Sequence, residues 1–175
     1  MKPPKIAIIF SVTLLVACST APNATQNPQV SPDKPKAEKV TDTKDNGCDP
    51  ELWKHIYDPS RLEVVEQCKE VTGIIEELGQ NEDGDTHMLL KLDAGQEDLL
   101  NKKNEKKKNG DLVIEIVCSA PVTDKKVGNT CVGYTNNVHI PKVGDAVKVT
   151  GSYVIDTHNG WSEIHPVSRI EAKSN

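Results

Sequence analysis

Aromatic side chains are scarce in this chain: 3% of 175 residues, as one Phe, two Trp and three Tyr. Phe10 falls in the N-terminal apolar run, which leaves Trp53, Tyr57, Tyr134, Tyr153 and Trp161 for the rest. Single-stranded nucleic acid is held by rings that stack on bases beside a cationic groove, so this composition disfavours it. Arginine is scarcer, with only Arg61 and Arg169, whereas phosphodiester cleavage needs cations that neutralise charge developing on phosphate. No apolar run reaches the roughly 20 residues of a membrane-spanning helix. The chain also has no C-x-x-C pair, phosphate-binding glycine loop, haem motif or nucleophile with a paired base. A multi-span membrane protein, a coiled coil and a large enzyme are excluded on these grounds.

What is present begins with Lys2 and Lys5, the apolar run Ile6–Ala17, and Leu15-Val16-Ala17-Cys18. The run fits the apolar region of a secretory signal. Leu-Val-Ala-Cys resembles a bacterial lipobox, which implies cleavage after residues 1–17, lipidation of Cys18 with palmitate-type chains, and a signal peptide removed from the mature lipoprotein. Two or three acyl chains anchor durably where one binds only marginally, so the lipid bilayer is the expected partner of Cys18. Ser19, where Asp is absent, implies sorting to the outer membrane in a Gram-negative cell. Residues 18–47 then supply anchor and linker. Pro22, Pro28, Pro32 and Pro35 lie among Asn, Thr, Gln, Lys and Asp, a composition that buries too little surface to order itself. This segment is expected to be a disordered tether, semi-extended by its prolines.

Residues 48–175 remain for one domain. They carry 15 Lys and Arg against 22 Asp and Glu. That acidic balance argues against a broad cationic face. The exception is Lys102, Lys103, Lys106, Lys107 and Lys108, read as a basic loop that is solvated or contacts an anionic envelope polymer. Four cysteines, Cys48, Cys68, Cys118 and Cys131, allow three connectivities. Pairing Cys48 with Cys68 and Cys118 with Cys131 is preferred, because the second pair brackets the irregular stretch 119–130 and the first fastens Cys48-Asp49-Pro50 to the opening strand. Each closed loop stabilises by roughly 3 kcal/mol in the chain-entropy model. A four-thiolate zinc site competes poorly without C-x-x-C spacing.

From Leu62 the pattern is of strands. Val64–Leu78 is long, with Gly73 inside it as a bulge or tight bend. Asp83-Gly84 makes a hairpin turn; Thr86–Asp93 puts Met88, Leu90 and Leu92 on one face. Residues 96–101 form one helical turn, and Asp111–Cys118 a third strand. Val143-Gly144-Asp145 leads into Ala146–Ile155, and Asn159-Gly160 turns into Trp161–Ile170. Five strands with an irregular connection after the third predict an all-β fold, a five-stranded OB-type Greek-key barrel with strand three beside strand five. An immunoglobulin-like sandwich needs about seven strands. The run Pro141 to Tyr153, Pro-x-Val-Gly-Asp-x-Val-x-Val-x-Gly-x-Tyr, resembles the start of the fourth strand in many OB domains. Three further segments, Asp83-Gly84-Asp85-x-His87, Val149-Thr150-Gly151-x-Tyr153-Val154-x-Asp156 and Gly160-Trp161-x-Glu163-Ile164-His165-Pro166, together resemble a group of uncharacterised bacterial OB-like domains, some on exported proteins. That group implies the fold and supplies no activity. Where it often has His-Gly-Trp, this chain has Asn159 before Gly160, with His158 one position earlier.

Two constellations bear chemistry. Asp83-Gly84-Asp85-Thr86 resembles the opening motif of staphylococcal-nuclease-like proteins, whose carboxylates hold calcium, but no matching arginine motif accompanies it. An EF-hand is excluded, since Gly79 stands where its first Asp belongs and Leu90 where its last Glu does. Asp83 and Asp85 are thus a polar turn or a cation site. In the second constellation, alternation puts Glu163 and His165 on one strand face, Glu115 interrupts the apolar face Val113-x-Glu115-x-Val117, and His87 looks the same way. Two imidazoles and two carboxylates suit zinc or calcium as a divalent cofactor; the plainer reading is a solvated face with Glu–His hydrogen bonds. The expected function is a non-catalytic, envelope-anchored binding module for a protein, a glycan or a metal ion. The alternatives are a metal-dependent hydrolase or nuclease, and single-stranded nucleic-acid binding in uptake.

Overall fold

The computed structural model describes residues 47–174. The expected signal, Cys18 and the tether up to residue 46 lie outside the described residues. Two short 3-10 turns, Pro50–His55 and Pro59–Arg61, precede the first strand. The strands are β1 (Leu62–Gln80), β2 (Thr86–Leu92), β3 (Leu112–Ile116), β4 (Ala146–Asp156) and β5 (Ser162–Ala172). They close in a ring in the order β1-β2-β3-β5-β4. All neighbours are antiparallel except β3 and β5, which run parallel through Val113–Glu163 and Ile114–Ile164.

The closure depends on β1. Leu62–Ile74 pairs with β4 and Gly73–Gln80 with β2, so Gly73 and Ile74 pair with both. A strand shared in this way must bend, and Gly73 sits at the bend: a Cβ there would lie 2.2 Å from the Lys91 carbonyl oxygen. Gly73 is therefore a point of close backbone approach, and the nearest register shift falls between Ile75 and Glu77. Gly151 meets the same constraint on β4, where a Cβ would lie 2.5 Å from the Pro166 carbonyl oxygen.

Alternation sends Ile75, Met88, Leu90, Leu112, Ile114, Ile116, Val149, Tyr153 and Ile164 into one apolar interior. β3 is buried on both faces. Near its C-terminal end the outer covering is a second apolar group, Leu52, Ile56, Leu62, Val117 and Val154, with Trp53 and Tyr134 packed on it. Disulfides join Cys48 to Cys68 and Cys118 to Cys131. The first fastens the N-terminal covering segment to β1, and the second closes the irregular connection after β3.

The lysine-rich segment read as a loop is a helix, α1 (Lys102–Lys107). The reason lies in two asparagines. Asn101 Oδ1 accepts from the Lys103 and Asn104 backbone N–H groups, while Asn104 Oδ1 accepts from Asn101 N, which makes a capping box. Asn104, fully buried, also ties the helix to the barrel: its Nδ2 donates to the Asp111 and Ser162 carbonyls, and its Oδ1 accepts from Ser162 N and Oγ. Lys102, Lys103, Lys106 and Lys107 are left exposed. Asn104→Ala strands several buried polar groups, each costing about 1–3 kcal/mol. The denaturation midpoint of this variant should report a loss of about 3 kcal/mol; a loss below about 1 kcal/mol would contradict the anchoring role.

Candidate charged cluster and cleft

The expected face exists and is buried. β3 presents Glu115 between Val113 and Val117, and its antiparallel neighbour β2 places His87 directly across from Glu115. On the other side, β5 runs parallel to β3 and presents Glu163 and His165. All four residues sequence alternation selected are brought together. Glu163 and His165 are fully buried and Glu115 is 5% exposed.

The hydrogen bonds give each group a definite job. His87 Nδ1 lies 3.0 Å from Glu115 Oε1, and Lys108 Nζ lies 3.2 Å from His87 Nε2. His165 Nδ1 lies 3.1 Å from Glu163 Oε1, whose other oxygen accepts from Trp161 Nε1 at 3.0 Å. Glu115 Oε2 lies 3.1 Å from His165 Nδ1 but outside hydrogen-bonding geometry, so it has no hydrogen-bond partner. His165 Nε2 has none either; Asp85 Oδ2 is 3.8 Å away. Asp85 is thus more than a turn residue. It is 2% exposed, and its Oδ1 accepts from the Cys118 N–H. Asp83 keeps the turn role, accepting from the Asp85 N–H through Oδ1.

Arg61 and Asp156, not selected from sequence, complete the site together with Lys108 and Trp161. Arg61 pairs with Asp156 and lies 3.7 Å from Glu115 Oε2. The buried Asp156 is further held by the backbone N–H groups of His158 and Asn159 and by the Asn159 side chain. Lys108 sits 4.1 Å from the centroid of the Trp161 ring, a cation–π contact. A cleft of about 610 Å³ opens over this face, bordered by Tyr57, Arg61, His87, Lys108, Glu115 and Trp161. Arg61 carries an advance signal, being one of two arginines.

Burial and neighbouring charge compete throughout. Burial pushes Glu115 up, but His165, His87 and Arg61 outweigh it and hold the carboxyl to about 2. Burial pulls His165 down, but Glu115, Glu163 and Asp85 raise it to about 8. For Asp85, burial and then the Asp83 charge raise the carboxyl to about 7 against the pull of His165.

These shifts set a pH profile. His165, raised from 6.5 to about 8, contributes stability that is full below pH 6.5 and lost as pH rises through 8. Asp85, raised from 3.8 to about 7, works in the same direction in a lower window, contributing stability that is full below pH 3.8 and lost as pH rises through 7. Glu115, lowered from 4.5 to about 2, contributes stability present above 4.5 and lost as pH falls toward 2. In chelator-containing buffer the melting temperature should peak near pH 4 and decline from there to pH 8, and His165→Gln should flatten the part of the decline between pH 6.5 and 8. A melting temperature climbing steadily across the same interval would contradict the assignment.

Compared with known proteins, the chain matches no family model, no curated protein and no solved structure.

Proposed function

We propose that this chain is a lipid-anchored protein of the cell envelope whose barrel is of the OB type and serves as a non-catalytic binding module. The observation that carries the reading is the cleft over β3 and β5, which joins a half-exposed rim of Tyr57, Trp161, Lys108 and Arg61 to an internally hydrogen-bonded floor. The strand order, with β3 parallel to β5 and a long β1 closing on β4, supports the OB type. Signal and lipobox support the envelope. No helix among the described residues is long and apolar enough to cross a membrane, and in this reading Cys18 supplies the attachment.

Binding is preferred to catalysis because the groups able to do acid–base work face one another. Glu163 and His165 are fully buried, and a general base must come within about 3 Å of the proton it abstracts. The nuclease-like reading of Asp83 and Asp85 loses support for the same reason, since the Asp85 carboxylate is turned inward against Cys118 and His165. Stacking on nucleic acid loses two of its three candidate rings, since Tyr153 is buried with its hydroxyl on the Leu99 carbonyl and Tyr134 is stacked on His55 at 3.7 Å, and the third, Trp161, is engaged by Lys108. A protein or glycan surface fits the remaining rim, where an indole, a phenol and two cations alternate with carboxylates.

The test is a photoreactive amino acid at position 161 of the full chain in cells fed a palmitate analogue. The palmitate label should appear on membrane-bound protein and vanish in Cys18→Ala, and illumination should give one discrete adduct that Lys108→Glu abolishes. A soluble, unlabelled protein would contradict the anchor, and an adduct pattern indifferent to Lys108→Glu would contradict the cleft.

A further inference from the structure

The described residues contain four buried side-chain atoms without a hydrogen-bond partner, and two of them, Glu115 Oε2 and His165 Nε2, belong to the same cluster. A buried polar atom left unmatched costs about 1–3 kcal/mol, and native structures seldom hold two together. Asp85 offers a third donor. One ligand atom from each of Asp85, Glu115 and His165 lies within 4.8 Å of the others. Charge points the same way. Four buried carboxylates, Asp85, Glu115, Asp156 and Glu163, are faced by one guanidinium, Arg61, and two imidazoles, His165 and the half-buried His87. Arg61 is committed mainly to Asp156 and reaches Glu115 Oε2 only at 3.7 Å.

We propose that Asp85, Glu115 and His165 form a buried site for a divalent transition metal of the zinc or manganese class, bound through Asp85 Oδ2, Glu115 Oε2 and His165 Nε2. Glu163 is the positioning residue. It accepts the Nδ1–H of His165 and is itself fixed by the Trp161 indole, an arrangement that orients an imidazole and leaves Nε2 for the metal. An imidazole with two carboxylates suits zinc or manganese; calcium takes six to eight oxygen ligands and is not expected here. His87 is outside the set because both its ring nitrogens are engaged, by Glu115 and Lys108. Cys118 and Cys131 also lie near Asp85, but their sulfurs form a disulfide. The ion's way in is the cleft, which Glu115 borders. The proposal does not depend on what the cleft binds.

The experiment titrates the metal-free full chain with Zn²⁺, Mn²⁺ and Ca²⁺, following heat of binding and melting temperature. Zn²⁺ should bind one-to-one and raise the melting temperature, while Ca²⁺ should do neither. Asp85→Asn should abolish the Zn²⁺ response and His87→Ala should preserve it; Glu163→Gln should weaken affinity by roughly 10–100-fold. In case a variant fails to fold, Co²⁺ added to the unmodified chain should shift the ring signals of His165 and spare those of His139. Absence of one-to-one Zn²⁺ binding, a response lost with His87→Ala but kept in Asp85→Asn, or Co²⁺ shifts at His139 alone would each overturn the site.

Discussion

A buried carboxylate beside a buried imidazole is costly unless each has the other. Isolated, either charge would lose several kcal/mol of hydration; paired and hydrogen-bonded, they fix the geometry of everything around them. In this barrel that pairing is Glu115 and Glu163 with His165, on the outer face of two parallel strands. The rest of the structure is arranged so that the pairing can exist. The N-terminal covering segment, stapled by Cys48–Cys68, closes over the lower part of that face, and α1 with Lys108 and Trp161 closes over the upper part. Arg61 and Asp156 link the start of β1 to the end of β4 at its edge, where Leu62 pairs with Asp156.

Much of this was legible in the sequence, for a definite reason. Strands with one face inward repeat every two residues, so Met88 and Leu90, or Val147 and Val149, announce themselves, and a Glu at the outward position between Val113 and Val117 stands out. The same rule put Glu163, His165 and His87 on a common face once the strands were placed. Both disulfides match the pairing that loop content favoured among the three that four cysteines allow.

The unread part depends on contacts distant in sequence or on groups without periodicity. Arg61 and Asp156 are 95 residues apart and meet only because β1 pairs with β4. Asp85 reads together with Asp83 as a polar turn or a cation site, and what the sequence does not show is that its own side chain reaches back to Cys118 across the hairpin. The helix α1 was hidden by its lysines. Its stability resides in Asn101 and Asn104, a capping pair of residues that favour turns by composition and here cap a helix by geometry.

The account stands on Glu163 holding the Nδ1–H of His165 and leaving Nε2 directed at Asp85. Ring-nitrogen NMR of His165 in the metal-free chain tests this most directly, followed as pH rises past about 8, where the imidazole loses its charge. The proton should leave Nε2 and remain on Nδ1, with that preference lost in Glu163→Ala. A neutral imidazole that keeps its proton on Nε2 would contradict the account.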